Sequence, residues 1–127
     1  MSRGVLDTSV LIAEDVAPLP GELAISAVSL AELHFGVLVA VDDDARARRL
    51  RRLSAVQRRF DPLPVDELVA ESYGLLAARV VKSGRQPRAR AMDLLIAATA
   101  HAHGAILYTR NPDDLLGLDD ILDIAAV

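Results

Sequence analysis

Residues 4–12 read Gly4-Val5-Leu6-Asp7-Thr8-Ser9-Val10-Leu11-Ile12. The apolar run Gly4-Val5-Leu6 stops on three residues whose side chains bond to nearby backbone and so favour turns and helix caps. Apolar residues then resume without a linker. The stretch predicts a short strand, an acid delivered at its carboxyl end, and a brief helix over Val10–Glu14. The plan is repeated near the other end of the chain. Ala105–Thr109 predicts a strand, and Asn111-Pro112 opens a short helix with an asparagine cap, a proline at the first position and the acids Asp113 and Asp114 behind it.

Between these stretches the same alternation continues. Pro18–Gly21 is a turn, and Leu23–Ser26 predicts a second strand. Ser29 opens a helix to about Val41, with Leu30, Leu33, Val37 and Val41 on one stripe. Asp42-Asp43-Asp44 starts the next helix, where acids suit the positive end of the dipole. That helix runs to about Phe60, with Leu50, Leu53, Val56 and Phe60 inward and most arginines outward. After the extended link Pro62–Val65, Asp66 caps a helix to Lys82 whose core face is Val69, Tyr73, Leu76, Ala77 and Val80. Ser83–Arg90 is a polar loop. Ala91–His103 is a strongly apolar helix stopped by Gly104, and Asp123–Val127 closes the chain as a last strand. Strands alternating with helices imply an α/β fold with a central, mainly parallel sheet covered on both faces. In such sheets ligands bind beyond the carboxyl ends of the strands.

The 127 residues suit one domain spanning 1–127, with no repeat, linker or low-complexity segment. Apolar residues make up 52% and charged residues 25%, which excludes a disordered chain. There is no cysteine, so disulfides and thiolate metal sites are excluded. Any metal must be held by carboxylate, amide or imidazole groups, and such a set suits hard cations such as Mg²⁺ or Mn²⁺. The chain opens without a charged leader and apolar signal core, and charges interrupt every apolar run, so a cytoplasmic protein that does not cross the membrane is expected. Net charge is −4, which by itself argues against nucleic acid. Yet 13 of the 14 basic residues are arginine, and seven of them lie between Arg46 and Arg59. A mean charge hides a basic surface beside an acidic one.

Four acidic positions stand out, and each has an ordinary structural reading. Asp7 is good capping chemistry. Glu32 completes a Ser29-Leu30-Ala31-Glu32 capping box, although it also shares a face with Phe35, Gly36 and Val39. Asp93 suits the first turn of its helix, but that face continues with Ile96, Ala97 and Ala100, where an unpaired carboxylate is costly. Asp113 and Asp114 belong to a normal helix opening. Together they weigh more. Asp7 and the Asn111–Asp114 segment both follow strands, and Asp93 lies on the helix preceding the second strand. Such acids can meet at one sheet edge, with Glu32 brought in by its helix. A carboxylate cluster does not stay ionised without cations. Carboxylates holding one or two Mg²⁺ are the usual equipment for phosphodiester cleavage.

At this point four stretches resemble the motifs of the PIN-domain family, in order and spacing. They are Val5–Ile12, Ser29–Gly36 with its Glu-Leu and following glycine, Asp93–Ala100, and Leu107–Leu115 with Thr109-Arg110-Asn111. The resemblance covers nearly the whole chain, and the short length is similar to VapC toxins of VapBC toxin–antitoxin pairs. It implies a three-layer α/β/α sandwich. Asp7, Glu32, Asp93 and Asp114 match the metal-binding, catalytic acids, and Thr8 and Thr109 match hydroxyls that orient them. Asn111 stands beside Asp114 as a supporting group or substitute, and Asp113 adds a neighbouring acid. Leu115 stands where phenylalanine is common, which leaves the fourth acid open among these three. The resemblance further implies a Mg²⁺- or Mn²⁺-dependent endoribonuclease acting on structured RNA such as tRNA, a homodimer, and a cognate VapB-type antitoxin. The Arg46–Arg59 helix reads either as phosphate contacts, as a seat for an acidic antitoxin segment, or as a solvated face. Phe35 and Val39 read as partner contacts or ordinary core.

Two other readings compete. A phosphatase using Asp7 as nucleophile would want a second acid two residues on, but Ser9 stands there, and Lys82 is the only lysine. A catalytically inactive interaction module on the same fold would leave the acids unused. His34, His101 and His103 lack a zinc-binding spacing.

Overall fold

The computed structural model describes residues 2–127. Four short strands, β1 (Arg3–Leu6), β2 (Glu22–Ala24), β3 (Ile106–Thr109) and β4 (Ile124–Ala126), form one sheet in the order β2-β1-β3-β4, with every pairing parallel. The sheet is therefore wholly rather than mainly parallel. The helices are α1 (Thr8–Ile12), α2 (Ala27–Leu38), α3 (Asp43–Arg59), α4 (Glu67–Lys82) and α5 (Ala91–Ala102).

Side chains alternate across the central strands, and the two faces bury different helices. Val5 and Leu107 point into a core with Leu76 and Val80 of α4 and Leu94, Ile96 and Ala97 of α5. Leu6 and Tyr108 point the other way, against Val10 of α1, Leu33 of α2 and Leu53 and Val56 of α3. The result is the expected three-layer sandwich. Gly4 is required where the layers close up, since a Cβ there would stand 2.5 Å from Tyr108 Cε2. Gly104, at φ +61, turns the chain out of α5 into β3.

Three local expectations shift. The cap of α2 is Ser26, not Ser29: Ser26 Oγ accepts from the Val28 N–H at 3.0 Å. Ser26 is held extended by its bridge to Leu63, so the helix starts as soon as the chain leaves that bridge. The helix also ends earlier, at Leu38, and leaves Val41 outside it and 91% exposed. On α3 the buried stripe runs Ala45, Leu53 and Val56, and Leu50, expected inward, is turned towards solvent.

The topology makes a crevice. From β1 the chain steps outward to β2, then crosses the sheet to β3 on the other side of β1. The direction of winding reverses between β1 and β3, and at such a switch point loops diverge and leave room for a ligand. Register pairs Leu6 with Tyr108, so both strands end level and present Asp7 and Thr109 side by side.

Candidate active site

Asp7 is anchored more firmly than any other acid at this edge. Its N–H donates to Tyr108 O at 2.9 Å. Its Oδ1 accepts from the Thr8 N–H at 2.8 Å, and its Oδ2 accepts from Ser9 Oγ at 2.9 Å and from Thr109 Oγ1 at 2.7 Å. Thr109 is almost wholly buried and also accepts from the Asn111 N–H at 3.0 Å. Ser9 Oγ accepts from the Arg110 N–H at 3.0 Å. The β3 loop and the acid are thus fixed by the same hydroxyls. Such supporting bonds orient a carboxylate so that its remaining lone pairs face a chosen direction.

Glu32 approaches from α2. With Ser26 as the cap, Glu32 lies well inside the helix, so the capping-box reading no longer accounts for it. Its Oε1 lies 2.7 Å from Thr8 Oγ1, which also lies 2.9 Å from the buried Ser29 hydroxyl. Thr8 has one hydroxyl proton, and the carboxylate is the stronger acceptor. Ser29, expected to start the helix, instead supports the hydroxyl that holds Glu32.

Asp93 sits in the first turn of α5, half-buried. Its carboxyl is pushed above the usual carboxylate range, first by burial and then by repulsion from Asp7, Asp114 and Glu32, with Arg90 opposing. Three acids from three other parts of the chain therefore act on one carboxyl group. Asp114 lies in a 3₁₀ turn, Pro112–Leu115, and its Oδ1 is 3.1 Å from an Arg90 nitrogen. Asp113 and Asn111 are exposed, while Asp114 is half-buried and turned towards the cluster. Among the described residues Glu32, Asp93 and Asp114 receive no backbone N–H bond, in contrast to Asp7.

The donor set fits a hard divalent cation. Four carboxylates face one crevice, their mutual repulsion is expressed at Asp93, and no sulfur or imidazole competes. Among the described residues no three such side chains stand together as a group that could hold a metal ion, so the fit is one of donor chemistry and not of a formed coordination sphere.

A cavity of about 420 Å³ is lined by Thr8 and Glu32 together with Phe35 and Gly36 of α2 and Arg49 and Arg52 of α3. Part of the arginine-rich helix is committed to the fold. Arg49 donates to Gly36 O at 2.7 Å, Arg46 to Ala40 O at 3.1 Å, and Arg59 lies over the Phe60 ring. Arg52 reaches the cavity wall, while Arg48, Arg51 and Arg58 are exposed. His101 is not part of the site: its Nδ1 lies 2.8 Å from Ser72 Oγ, on the α4–α5 interface.

The PIN domain profile matches residues 4–119. The chain is 39% identical over 132 aligned positions to Ribonuclease VapC5 of Mycobacterium tuberculosis, covering 99% of this chain and 95% of that one. The chain belongs to the PIN-domain family. Within it the chain is of the VapC type. It is 38% identical to Ribonuclease VapC4 of the same organism over 87% of its length and 88% of that protein. Among solved structures, VapBC-5 from Mycobacterium tuberculosis, a member of the VapBC family of toxin–antitoxin systems, superposes with a TM-score of 0.86 at 39% identity, covering 100% of this chain and 98% of that one. FitAcB from Neisseria gonorrhoeae follows the same fold at a TM-score of 0.75 and 26% identity, over 95% of each chain. The PIN-domain sequence motifs thus fall on the crevice at the sheet's switch point.

Two contributors escaped the sequence reading. Ser9 was read only as turn chemistry, yet it ties Asp7 to the β3 loop. Arg90 was read as part of a polar loop, yet it meets two of the four acids. Its position three residues before Asp93 on the approach to a helix was the available signal.

Proposed function

We propose that this protein is an endoribonuclease dependent on Mg²⁺ or Mn²⁺, the toxin of a VapBC pair. The observation that carries the reading is that Asp7 and Glu32 are both held by Thr8, and Asp93 and Asp114 both by Arg90, beyond the carboxyl ends of the parallel strands. A divalent cation bound there would supply an activated water and neutralise charge on the attacked phosphate and the leaving oxygen. The chain's own part is to hold donors still. Thr109, Ser9 and the Thr8 N–H fix Asp7, and Thr8 fixes Glu32. Asp93 and Asp114 would add two further oxygens, both beside Arg90. No side chain is required as a nucleophile. Ser9, which occupies the position where an aspartyl phosphatase would want a second acid, is engaged as a structural hydroxyl.

The substrate is a structured cellular RNA such as a tRNA, and the cavity wall with Arg52 offers a path for the flanking phosphates. A cognate VapB-type antitoxin neutralises the enzyme, and the protein works as a homodimer in the cytoplasm. Support for protein partners comes from α2 and its exit, where Phe35, Leu38 and Val41 are 67%, 79% and 91% exposed. Large apolar side chains this exposed and this close in sequence are the kind of surface that a protein partner covers. Among the described residues no helix is long and apolar enough to cross a membrane.

The test is cleavage of total RNA and of a tRNA pool by the purified protein with Mg²⁺, Mn²⁺ or EDTA, beside Asp7→Ala and Asp93→Ala. Cutting that requires metal and is lost in both variants supports the reading. Cutting that persists in EDTA, or wild-type protein that neither cuts RNA nor binds Mn²⁺ through these acids, overturns it in favour of an inactive interaction module.

A further inference from the structure

The four acids carry a formal charge of −4, and among the described residues the cation that pairs with them is Arg90. Arg90 stands at the junction between the 3₁₀ turn Pro87–Arg90 and α5. One guanidinium nitrogen is 3.1 Å from Asp114 Oδ1, and the other is 3.9 Å from Asp93 Oδ2. The group therefore lies between two acids from different elements. Two cations cannot use the same Asp114 oxygen at close range, because their charges repel and the lone pairs are limited. The bridge is also poorly insulated. The Arg90 side chain is 47% exposed, so its hold on the carboxylates is screened by water and can be broken.

We propose that Arg90 is the resident counter-ion of the acid cluster and a direct competitor of the divalent metal. Without metal it neutralises Asp114 and Asp93 and holds the Pro112–Leu115 turn against the start of α5. Metal gains Asp114 only when the guanidinium leaves it. The chain thereby sets a threshold on its own metal loading. The inference rests on the proposed metal site, and the experiment separates the two.

Mn²⁺ binding is measured by isothermal titration on wild type, Arg90→Gln, Arg90→Lys, Asp114→Asn and the Arg90→Gln/Asp114→Asn double variant. No RNA is present, so the readout is independent of activity. Losing an ion pair of this exposure should tighten Mn²⁺ binding by roughly threefold to tenfold in Arg90→Gln. Arg90→Lys keeps the charge without the two-nitrogen bridge and should fall between. With Asp114→Asn as background, the gain from Arg90→Gln should shrink, because the contested carboxylate is gone. Thermal unfolding in EDTA checks that each variant is folded, and Arg90→Lys carries the test if Arg90→Gln is not. If wild type binds Mn²⁺ and Arg90→Gln binds it equally or more weakly, Arg90 is no competitor, and the metal-site reading stands without this inference. If neither binds, both fall.

Discussion

Thr109→Val removes one hydroxyl from the centre of the site while leaving the shape of the side chain almost unchanged. The hydroxyl donates to Asp7 Oδ2 at 2.7 Å and accepts from the Asn111 N–H at 3.0 Å. Thr109 is 1% exposed, so water does not replace its bond to Asp7 without a rearrangement of the loop. A hydrogen bond to an ionised group is worth about 1.5–3 kcal/mol, and a donor left unsatisfied costs about 1–3 kcal/mol more where it is fully buried. The Asn111 end is exposed and recovers its bond from solvent, so the net loss of stability should be about 1.5–3 kcal/mol. At this chain length that lowers Tm by roughly 5–12 °C, read by circular dichroism in EDTA. Asp7 also loses an orienting partner, which should weaken Mn²⁺ binding and RNA cutting by roughly 10–100-fold. Thr109→Ser is the control. It keeps the hydroxyl and loses only a methyl group, at a cost of about 1 kcal/mol, and should bind Mn²⁺ like wild type. A valine variant that binds Mn²⁺ as tightly as the serine variant would refute the claim that this hydroxyl positions Asp7.

Asp93 makes stability depend on pH with a defined sign. Its carboxyl lies above the ordinary value of 3.8 in the folded protein, through burial and then repulsion from Asp7, Asp114 and Glu32. Its contribution is therefore fully present below the unfolded value and is lost as pH rises through the folded one. Asp93→Asn should raise Tm at pH 7 in EDTA, lose that advantage near pH 3, and abolish RNA cutting; a lower Tm at pH 7 counts against the repulsion. Gly4→Ala should cost about 1–3 kcal/mol, because the new methyl group collides with the Tyr108 ring, measured as a shift in the urea midpoint. Ser26→Ala should cost about 0.5–2 kcal/mol through loss of the α2 cap, whereas Ser29→Ala should leave the helix capped and act through the Thr8–Glu32 contact on Mn²⁺ binding. Equal stability losses with unchanged Mn²⁺ binding in both serine variants would contradict that division of labour.

The order of strands and helices was legible because its signals are local. Asp42 and Asp66 were read as helix starts, and each accepts the backbone N–H three residues on. The acids at strand ends were legible for the same reason, since a parallel sheet sends its carboxyl-edge residues to one place. What was not legible depends on distant partners. In sequence Ser29 carries the capping-box signal, and only the bridge from Ser26 to Leu63 moves the helix start back to Ser26. Leu50 lies close enough to the α3 stripe to be taken for core. The helix is rotated so that Arg49 and Arg52 border the crevice and Leu50 is left outside. The ion pair of Asp114 with Arg90 likewise depends on a residue far away in sequence, so nothing local to Asn111–Asp114 announces it.

The bond between Thr109 and Asp7 joins residues 102 positions apart. On the ribosome, Asp7, Glu32 and Asp93 all emerge before β3 does. Until β3 is made and zipped along β1, Asp7 has no Thr109 to hold it and Asp114 does not exist. The nascent polypeptide therefore carries most of its acids with no assembled centre. Any RNA-cutting capacity of the proposed centre would therefore appear in one step, when β3 and the Pro112–Leu115 turn join the earlier acids, and not by degrees as each acid emerges.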